Sequence, residues 1–415
     1  MALVDVTDWM NEFGAPGHLW YAKRLSGNDT LANGSHQAGP YVSKDIFFQI
    51  FPTLNRPDVK NPDLNFDLYV DSHSDYRFVR AIWYNGKVYG DGTRNEARLT
   101  NFGGASSALL DPDSTGALAI FSFTHDDHDV VKDAHVWVCR NEIEEDLFED
   151  RIGPVEPKQT ILWKPGEGVA PDLKTVAKPT RKSCALLPEE MPPDWLIKFP
   201  SGETIIKKTL ALRPPGGMAP DERLLRRRVC EYEMFQSIEA AFFMPRIQAG
   251  KFSSIEGFIS LAQSILQSRK SRSGNSLELH AREIMMEEGL DPKADFCHRP
   301  VVEGGKRPDF IFPSQAAYDD DDFPPERLRM LAAKTTCKDR WRQIINEANR
   351  IKEKHLLTLQ EGISVNQFAE MCDAGIKLVV PNGLHESYSE QVRPHLVSFE
   401  SFIADIRMVA LTKRV

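Results

Sequence analysis

Proline is concentrated in one stretch of this 415-residue chain, and that stretch separates two halves with different patterns. Between Pro154 and Pro200 lie nine of the 27 prolines. Proline fixes its own φ and donates no backbone hydrogen bond, so such a stretch resists regular structure. The chain is also longer than one hydrophobic core usually serves. We therefore predict two domains, over residues 1–153 and 201–415, joined by a hinge region over 154–200.

The first half alternates short extended segments with glycine-containing turns such as Asn85-Gly86 and Gly103-Gly104. The predicted strands cover residues 46–51, 67–70, 78–84, 117–124 and 134–139. Many short strands separated by turns are typical of a small all-β barrel or sandwich.

The second half begins with helical periodicity and continues with alternating strands and helices. The predicted elements are helices over 221–248, 253–268 and 275–289, strands over 310–312 and 328–336, a helix over 339–354, a strand over 356–359, a helix over 364–374 and a strand over 376–380. This order predicts a mixed sheet flanked by helices, and therefore an α+β protein of more than one domain.

The net charge of -9 excludes a surface that is basic all over, but DNA binding needs only a local positive patch. From Lys334 to Lys354 the chain carries seven Lys or Arg against three Asp or Glu. Its six cysteines are far apart, without a CxxC pair, so we expect reduced thiols rather than disulfides or a zinc finger. The acids Asp5, Asp8 and Glu12 are not typical of a signal peptide, so we do not expect one, and no apolar run approaches the ~20 residues of a membrane helix. We expect a cytoplasmic protein with no membrane contact.

Two strand ends carry residues suited to phosphodiester hydrolysis. Asp309 begins one predicted strand, and Lys334 lies near the end of the next. Glu347 follows on the predicted helix over 339–354, and Glu278 lies on an upstream helix. Hard cations such as Mg²⁺ are held by a few carboxylates plus water. We predict that Asp309 and Glu347 bind Mg²⁺, that Lys334 orients the attacking water, and that Glu278 is a further ligand or a neighbouring carboxylate.

Each of these residues also has a structural explanation. Asp309 after a proline can be a turn residue, Lys334 can simply mark a strand emerging into water, and Glu347 can be a solvated helix position. A bare Pro-Asp…Lys pattern is weak. The charged cluster directly behind it, Lys338, Asp339, Arg340 and Arg342, strengthens it, because Arg can bond guanine O6 and N7 and Asp can accept from cytosine N4.

The segment Lys334 to Glu347, read with flanking motifs, resembles the EcoRII branch of the PD-(D/E)xK restriction endonucleases. The resemblance extends to Ser276-Leu277-Glu278, Arg307-Pro308-Asp309 and Leu359-Gln360-Glu361-Gly362, and in the first half to Lys23-Arg24-Leu25-Ser26 and Thr93-Arg94-Asn95-Glu96. It covers essentially the whole chain.

This resemblance implies a C-terminal restriction-endonuclease-like domain with a central mixed sheet and an N-terminal β-pseudobarrel of the plant B-three type. The catalytic residues would be Asp309, Lys334, Glu347 and Glu278. The implied DNA-binding residues are Lys338, Asp339, Arg340, Arg342 and Arg272 in the second half, and His36, Tyr41, Arg94, Glu96 and Arg98 in the first.

The resemblance further implies a bacterial homodimer that uses Mg²⁺ to cut double-stranded DNA at CCWGG, before the first C. The N-terminal domain would bind an effector copy of the site and restrain the catalytic domain until it does. A cognate cytosine methyltransferase would act on the same site without direct contact. The alternative is a site-specific DNA-binding protein with a silent nuclease centre.

Overall fold

Two sheets organise the computed structural model, which describes residues 3–34, 39–165, 168–169, 183–250 and 252–411. The first sheet has eight strands in the order β4-β3-β2-β6-β5-β1-β7-β8. These strands are β1 (His18–Arg24), β2 (Asp63–Val70), β3 (Asp75–Tyr84), β4 (Glu96–Thr100), β5 (Leu118–His125), β6 (Val131–Val138), β7 (Thr160–Lys164) and β8 (Gly168–Val169). All neighbours pair antiparallel except β2 and β6, which pair parallel. An isolated bridge between Tyr41 and Arg98 connects the loop after β1 to edge strand β4.

The first sheet curls around a core because alternate residues of its strands point to one side. Leu19 and Tyr21 of β1, with Phe121 and Phe123 of β5, belong to this fully or nearly fully buried cluster. Trp20 lies on the other face, against Trp9 and Phe148. The helices of this N-terminal domain are α1 (Leu3–Glu12), α2 (Lys44–Ile50), α3 (Gly86–Tyr89) and α4 (Glu142–Ile152).

The second sheet has five strands in the order β13-β12-β11-β10-β9. They are β9 (Cys297–His298), β10 (Phe310–Phe312), β11 (Arg329–Ala333), β12 (Lys354–Leu357) and β13 (Ile376–Val379). The pairs β9–β10 and β10–β11 are antiparallel, whereas β11–β12 and β12–β13 are parallel. This is the mixed sheet that the sequence predicts.

Helices surround the second sheet and complete the C-terminal domain. They are α5 (Pro193–Ile197), α6 (Gly202–Leu212), α7 (Pro220–Ala249), α8 (Ile255–Glu287), α9 (Gln315–Asp319), α10 (Trp341–Ile344), α11 (Val365–Asp373) and α12 (Phe399–Leu411). All three residues of β10 are buried, and Phe312 packs edge-on against Phe402 of α12. None of the helices described here is long and apolar enough to cross a membrane.

The N-terminal prediction is wrong at one segment. Residues 46–51, predicted as a strand, lie mostly in helix α2. Phe47 and Ile50 are the buried residues of that helix, and their spacing places both on one helical face. A short apolar run is compatible with the periodicity of a helix or of a strand. Here packing against the barrel core favours the helix.

Helix α8 is continuous, so the predicted break between residues 268 and 275 is wrong. Arg269 pairs with Glu239 and Arg272 with Glu231, both on α7. These contacts with a neighbouring helix cross the region of the expected break. Tertiary packing therefore overrides the local cap signal at Asn275.

The helix predicted over 339–354 is also wrong, because α10 contains only four residues. Ala348 has a φ of 49°, a left-handed backbone that ends helical geometry. Lys306 Nζ donates to the Asn346 carbonyl oxygen at 2.9 Å, which binds the turn to the loop before β10. Glu347 consequently lies in a turn, and Arg340 and Glu347 do not share a helical face.

Cys184 and Cys230 form a disulfide, so the expectation of reduced thiols is wrong for this pair. They are 46 residues apart in sequence, with Cα atoms 5.1 Å apart, within the usual span of a disulfide. The last part of the hinge region, from residue 183 onward, runs along α7, where Leu186 and Phe199 pack against the cluster that includes Phe235. Only that packing brings the two cysteines together.

Candidate active site

Adjacent strand ends bring Asp309 and Lys334 together. Asp309 immediately precedes β10 and Lys334 immediately follows β11, and because these strands are antiparallel the two residues lie at the same edge of the sheet. Asp309 Oδ2 accepts a hydrogen bond from the Ala333 backbone N–H at 2.7 Å. Lys334 Nζ lies 3.8 Å from the same oxygen, and the Lys334 N–H donates to the Leu357 carbonyl at 2.9 Å. Backbone hydrogen bonds thus fix the Asp309 carboxylate and the main chain at Lys334.

Glu347 joins this pair electrostatically, from the turn after α10. Burial raises the pKa of Asp309; the charge of Lys334 and the Ala333 hydrogen bond oppose the rise, while Glu278 adds to it. Burial also raises the pKa of Glu347, against the charge of Lys334, and the charge of Asp309 raises it further. The structure therefore brings together the predicted acid, lysine and second acid.

These two carboxylates suit a divalent cation. Asp309 and Glu347 are partly buried acids with raised pKa values, and such acids favour a cation nearby because it offsets the cost of their negative charge. Among the described residues no group of three or more His, Cys, Asp or Glu forms a metal site. A site with two carboxylates fits Mg²⁺, which keeps several waters and is often bound by one or two carboxylates plus substrate oxygens.

Glu278 lies close to this centre, but its carboxylate is already engaged. Its Oε1 contacts His298 Nε2 at 2.5 Å and Arg299 Nε at 2.6 Å, and its Oε2 accepts from Arg299 Nη2 at 2.7 Å. Burial alone would raise the pKa of Glu278, but the hydrogen bonds from His298 and Arg299 outweigh it and lower the pKa.

The charged segment behind Lys334 faces the N-terminal domain. Lys338 Nζ donates to the Cys139 carbonyl at 3.1 Å, and Arg340 Nε lies 3.4 Å from Glu142 Oε1 of α4. Gln343 Nε2 donates to Glu142 Oε2 at 2.6 Å. Asp339 and Arg342 instead pair with each other at 3.2 Å. Trp341 is buried.

Arg272, a predicted DNA-binding residue, lies in a buried ion cluster between the domains. Its guanidinium bonds Glu231 of α7 and Glu156 of the segment after α4, at 3.0 and 3.1 Å. Arg228 holds the other oxygen of Glu156 at 2.6 Å. Burial alone would raise the pKa of Glu156, but Arg228 and Arg272 lower it to about 2. Neither arginine is open to solvent in this arrangement.

Four of the five predicted N-terminal DNA contacts form one cluster. Glu96 pairs with Arg94 on one side and Arg98 on the other, and the Arg98 guanidinium lies 5.5 Å from the centre of the exposed Tyr41 ring. Hydrogen bonds from Arg94 are the largest cause of the lowered pKa of Glu96. The fifth residue, His36, lies outside the described residues.

Family models match both halves of the chain. Residues 14–167 match the model described as the N-terminal domain of restriction endonuclease EcoRII, and residues 235–403 match the EcoRII C-terminal model. The type II restriction enzyme EcoRII of Escherichia coli is 41% identical over 401 residues, which is 96% of each chain. The chain belongs to the EcoRII family of type II restriction enzymes. It is a site-specific deoxyribonuclease, and the expected α+β fold with two domains is confirmed.

The comparisons also found more distant similarities to this chain. The type II restriction enzyme SsoII of Shigella sonnei is 26% identical over 151 residues, covering 34% of this chain and 48% of SsoII. A solved structure of metal-depleted Ecl18kI with uncleaved DNA is 19% identical, covers 54% of this chain and 86% of its own, and has a TM-score of 0.43. The B3 domain of UbaLAI with cognate DNA is 17% identical, covers 38% and 98%, and has a TM-score of 0.26.

Several residues that surround the EcoRII-family site were missed by the sequence reasoning. Glu142 and Glu156 are ordinary acids in sequence, and only the contact between the domains brings them to Arg340 and Arg272. His298 and Arg299 carry no motif either. His298 pairs with Phe310 in the second sheet, and the N–H of Arg299, the residue after β9, donates to the Asp309 carbonyl.

Proposed function

We propose that this enzyme makes Mg²⁺-dependent double-strand cuts at CCWGG, before the first C, with Asp309, Lys334 and Glu347 as its catalytic centre. The observation that carries this proposal is the meeting of Asp309 and Lys334 at one sheet edge, with Nζ 3.8 Å from Oδ2, beside Glu347. Sequence-specific hydrolysis needs these groups beside a segment that can contact bases, and residues 338–342 begin four residues after Lys334.

Each catalytic residue has a distinct task. Asp309 and Glu347 would hold Mg²⁺, which would neutralise the charge that develops on the scissile phosphate. Lys334, fixed by its backbone hydrogen bond to Leu357, would orient the attacking water and stabilise the charged transition state. Glu278 is the accessory carboxylate of the site.

Base recognition is assigned to Lys338, Asp339 and Arg340, which would contact the outer C:G pairs, with Arg342 and Arg272 on the DNA backbone. A bidentate contact contributes roughly 1–3 kcal/mol of discrimination. Arg340→Ala should therefore weaken specific binding by several-fold to several-hundred-fold, measured by titration of matched specific and random duplexes. An equal loss on both duplexes would mean that Arg340 contacts phosphate instead.

Autoinhibition is the second part of the proposal. It is supported by contacts of the assigned recognition residues with the N-terminal domain and the hinge region: Lys338 with Cys139, Arg340 with Glu142, and Arg272 with Glu156. A side chain bonded within the protein is not free to bond DNA. Cleavage then requires the domains to separate, and binding of effector DNA by His36, Tyr41, Arg94, Glu96 and Arg98 would favour that state.

The remaining features follow the family. We propose a homodimer, a division into domains at 1–153 and 201–415 with a hinge region over 154–200, and a cytosine methyltransferase that modifies the same site without contacting this chain. Strands β7 and β8 lie within the proposed hinge region and add to the first sheet.

The direct test is digestion of plasmids with one and with several CCWGG sites, in Mg²⁺ and in EDTA. We expect Mg²⁺-dependent cutting that is poor on the single-site plasmid. Equal cutting of the two plasmids would support the nuclease assignment and contradict restraint by the N-terminal domain. Specific binding without any cutting would favour the DNA-binding protein with a silent centre.

Removal of the restraint can be tested separately. A chain lacking residues 1 to about 180 should cut the single-site plasmid as well as the multi-site one, because Cys139, Glu142 and Glu156 are absent. If the truncated enzyme still required a second site, the restraint would not lie in the N-terminal domain.

A further inference from the structure

We propose that Arg299 is a positioning residue that withholds Glu278 from the metal, so that each active site takes one divalent ion through Asp309 and Glu347. This inference rests on the proposed function of Asp309 and Glu347 as metal ligands. It concerns two residues, His298 and Arg299, that the catalytic assignment does not use.

The position of Arg299 is set by the strand that pairs with the catalytic one. Phe310 pairs with His298 in the antiparallel ladder between β9 and β10. The next backbone bond of the ladder runs from the Arg299 N–H to the Asp309 carbonyl, at 2.9 Å. Arg299 thus lies directly opposite the catalytic aspartate.

Arg299 has an unusual backbone that explains its contact with Glu278. Successive residues of a strand point to opposite faces, so His298 and Arg299 would normally diverge. Arg299 has a φ of 53°, in the left-handed region that side-chain-bearing residues seldom adopt. With this backbone both side chains reach the same oxygen, Glu278 Oε1, at 2.5 and 2.6 Å. Such backbone outliers are concentrated at functional sites.

The contacts occupy the Glu278 carboxylate on both oxygens. Arg299 Nη2 donates to Oε2 at 2.7 Å and also to Asn275 Oδ1 at 2.7 Å, which fixes the plane of the guanidinium. Glu278 itself is 3% exposed. To bind a cation, Glu278 would have to give up its hydrogen bonds to a guanidinium at a position almost without solvent. Among the described contacts, no guanidinium forms a hydrogen bond with Asp309 or Glu347.

Charge balance supports the same conclusion. Asp309, Glu347 and Glu278 are three neighbouring carboxylates. Lys334 acts on Asp309 and Glu347, Lys306 and Lys354 also act on Glu347, and Asp309 and Glu278 interact electrostatically. Arg299 supplies a fixed positive charge at Glu278 and also acts on Asp309. With this guanidinium in place, one divalent ion is enough to offset the remaining negative charge of the three carboxylates.

The test counts Mn²⁺ ions bound per chain in the full-length protein with a CCWGG duplex whose scissile linkages resist hydrolysis, using the electron paramagnetic resonance signal of free Mn²⁺. We expect one ion for the wild type and two for Arg299→Ala, because Glu278 becomes available as a ligand. Arg299→Lys, which keeps the positive charge, should remain at one. The double variant Arg299→Ala/Glu278→Gln should return to one.

Two further variants keep the result interpretable. Arg329→Ala removes an arginine that pairs with Asp405 on the same domain, so it controls for general loss of an ion pair and should bind one ion. Glu278→Gln alone should bind one Mn²⁺ with an affinity within about twofold of the wild type, which tests the idea even if Arg299→Ala does not fold.

Other outcomes separate this inference from the proposed function. Two ions in the wild type, one ion in folded Arg299→Ala, or loss of the ion in Glu278→Gln would each overturn the role of Arg299 and leave the nuclease assignment intact. No ion in the wild type would overturn both. One ion in the wild type without plasmid cleavage would count against the proposed function alone.

Discussion

At the scale of single residues, the neighbours of Asp309 give its carboxylate a defined position at the edge of the second sheet. The Ala333 N–H fixes one of its oxygens, and Lys334 lies next to that oxygen. By contrast, Asp320 to Asp322, within the acidic run, are solvated and show no metal-binding arrangement in the described part of the chain. The neighbours of a carboxylate in the folded chain, and not its presence in a sequence motif, decide whether it can bind a metal ion.

Lys334→Ala should slow cleavage by about 10²-fold or more and leave specific DNA binding nearly unchanged. The lysine is assigned to the charge that develops in the transition state, and removing one such group typically has an effect of that size. Single-turnover cleavage and a binding titration on the same duplex measure the two properties. Lys377→Ala, which removes a half-exposed lysine paired with Glu353, is the control. Unchanged cleavage by the Lys334 variant would remove the catalytic assignment.

His355 should make the stability of the C-terminal domain depend on pH. Burial in β12 lowers the pKa of His355 to about 4, below the ordinary value of 6.5. Between pH 6.5 and pH 4, His355 is therefore protonated in the unfolded chain and neutral in the folded chain. The contribution of His355 to the free energy of unfolding is complete above pH 6.5 and is lost as pH falls from 6.5 toward 4.

The measurement for His355 is the free energy of unfolding in urea at several pH values. Below pH 6.5 the wild type should lose about 1.4 kcal/mol per pH unit from this one group, and His355→Gln should lack that part of the slope. His128→Gln, at an exposed loop position, should keep the wild-type slope. Equal slopes in all three proteins would mean that His355 titrates normally when folded.

At the scale of elements, helix α4 serves both domains. Its carboxylates Glu145 and Glu149 pair with the buried Arg24 inside the N-terminal domain. Glu142, at its first turn, reaches across to Arg340 and Gln343. The same short helix thus holds the barrel together and contacts the assigned recognition segment.

Glu142→Gln should raise cleavage of a single-site plasmid by up to about fivefold. A partly exposed ion pair contributes about 0.2–1 kcal/mol, and its loss favours separation of the domains by the corresponding factor. Initial rates on the single-site plasmid give the value. Asp58→Asn removes an acid that pairs with Arg56 within the N-terminal domain and should leave the rate unchanged. A lower rate in the Glu142 variant would contradict a restraining role.

At the scale of the whole molecule, the two domains meet through backbone as well as through charge. The Gly27 N–H donates to the Glu361 carbonyl at 2.5 Å. A Cβ at Gly27 would lie too close to the carbonyl oxygen of Ser387, and Gly362, with a φ of 112°, lies directly opposite. Only glycine at both positions permits this approach.

Gly27→Ala should therefore separate the domains and increase cleavage of the single-site plasmid, with a lower melting temperature. The added methyl meets backbone, which cannot move as the end of a side chain can. Gly274→Ala is the matched control, because a Cβ there meets nothing within 4 Å, and in helix α8 it should stabilise by about 1 kcal/mol. If Gly27→Ala left both properties unchanged, contact between the domains at this point would not limit activity.

Sequence patterns predicted much of this architecture. The proline-rich stretch, the turn-separated strands and the β-β-α-β-α-β order led to two domains, a curled β-sheet and a mixed sheet, because short-range periodicity records which face each element buries. Phe310–Phe312 and Ile376–Val379 were predicted correctly for that reason. Residues 46–51 and 339–354 were not, since contacts with distant parts of the chain decide their backbone.

By itself, the sequence determined the fold class, the EcoRII-family resemblance and the choice of Asp309, Lys334 and Glu347 as candidate catalytic residues, because these depend on local pattern and residue type. The tertiary structure alone decided that Glu347 lies in a turn, that Cys184 meets Cys230, and that Glu278 is held by Arg299. It also decided that Glu142 of the N-terminal domain and Glu156 of the hinge region face cations of the C-terminal domain. Such pairings join residues far apart in the chain, and only packing brings them within hydrogen-bonding distance.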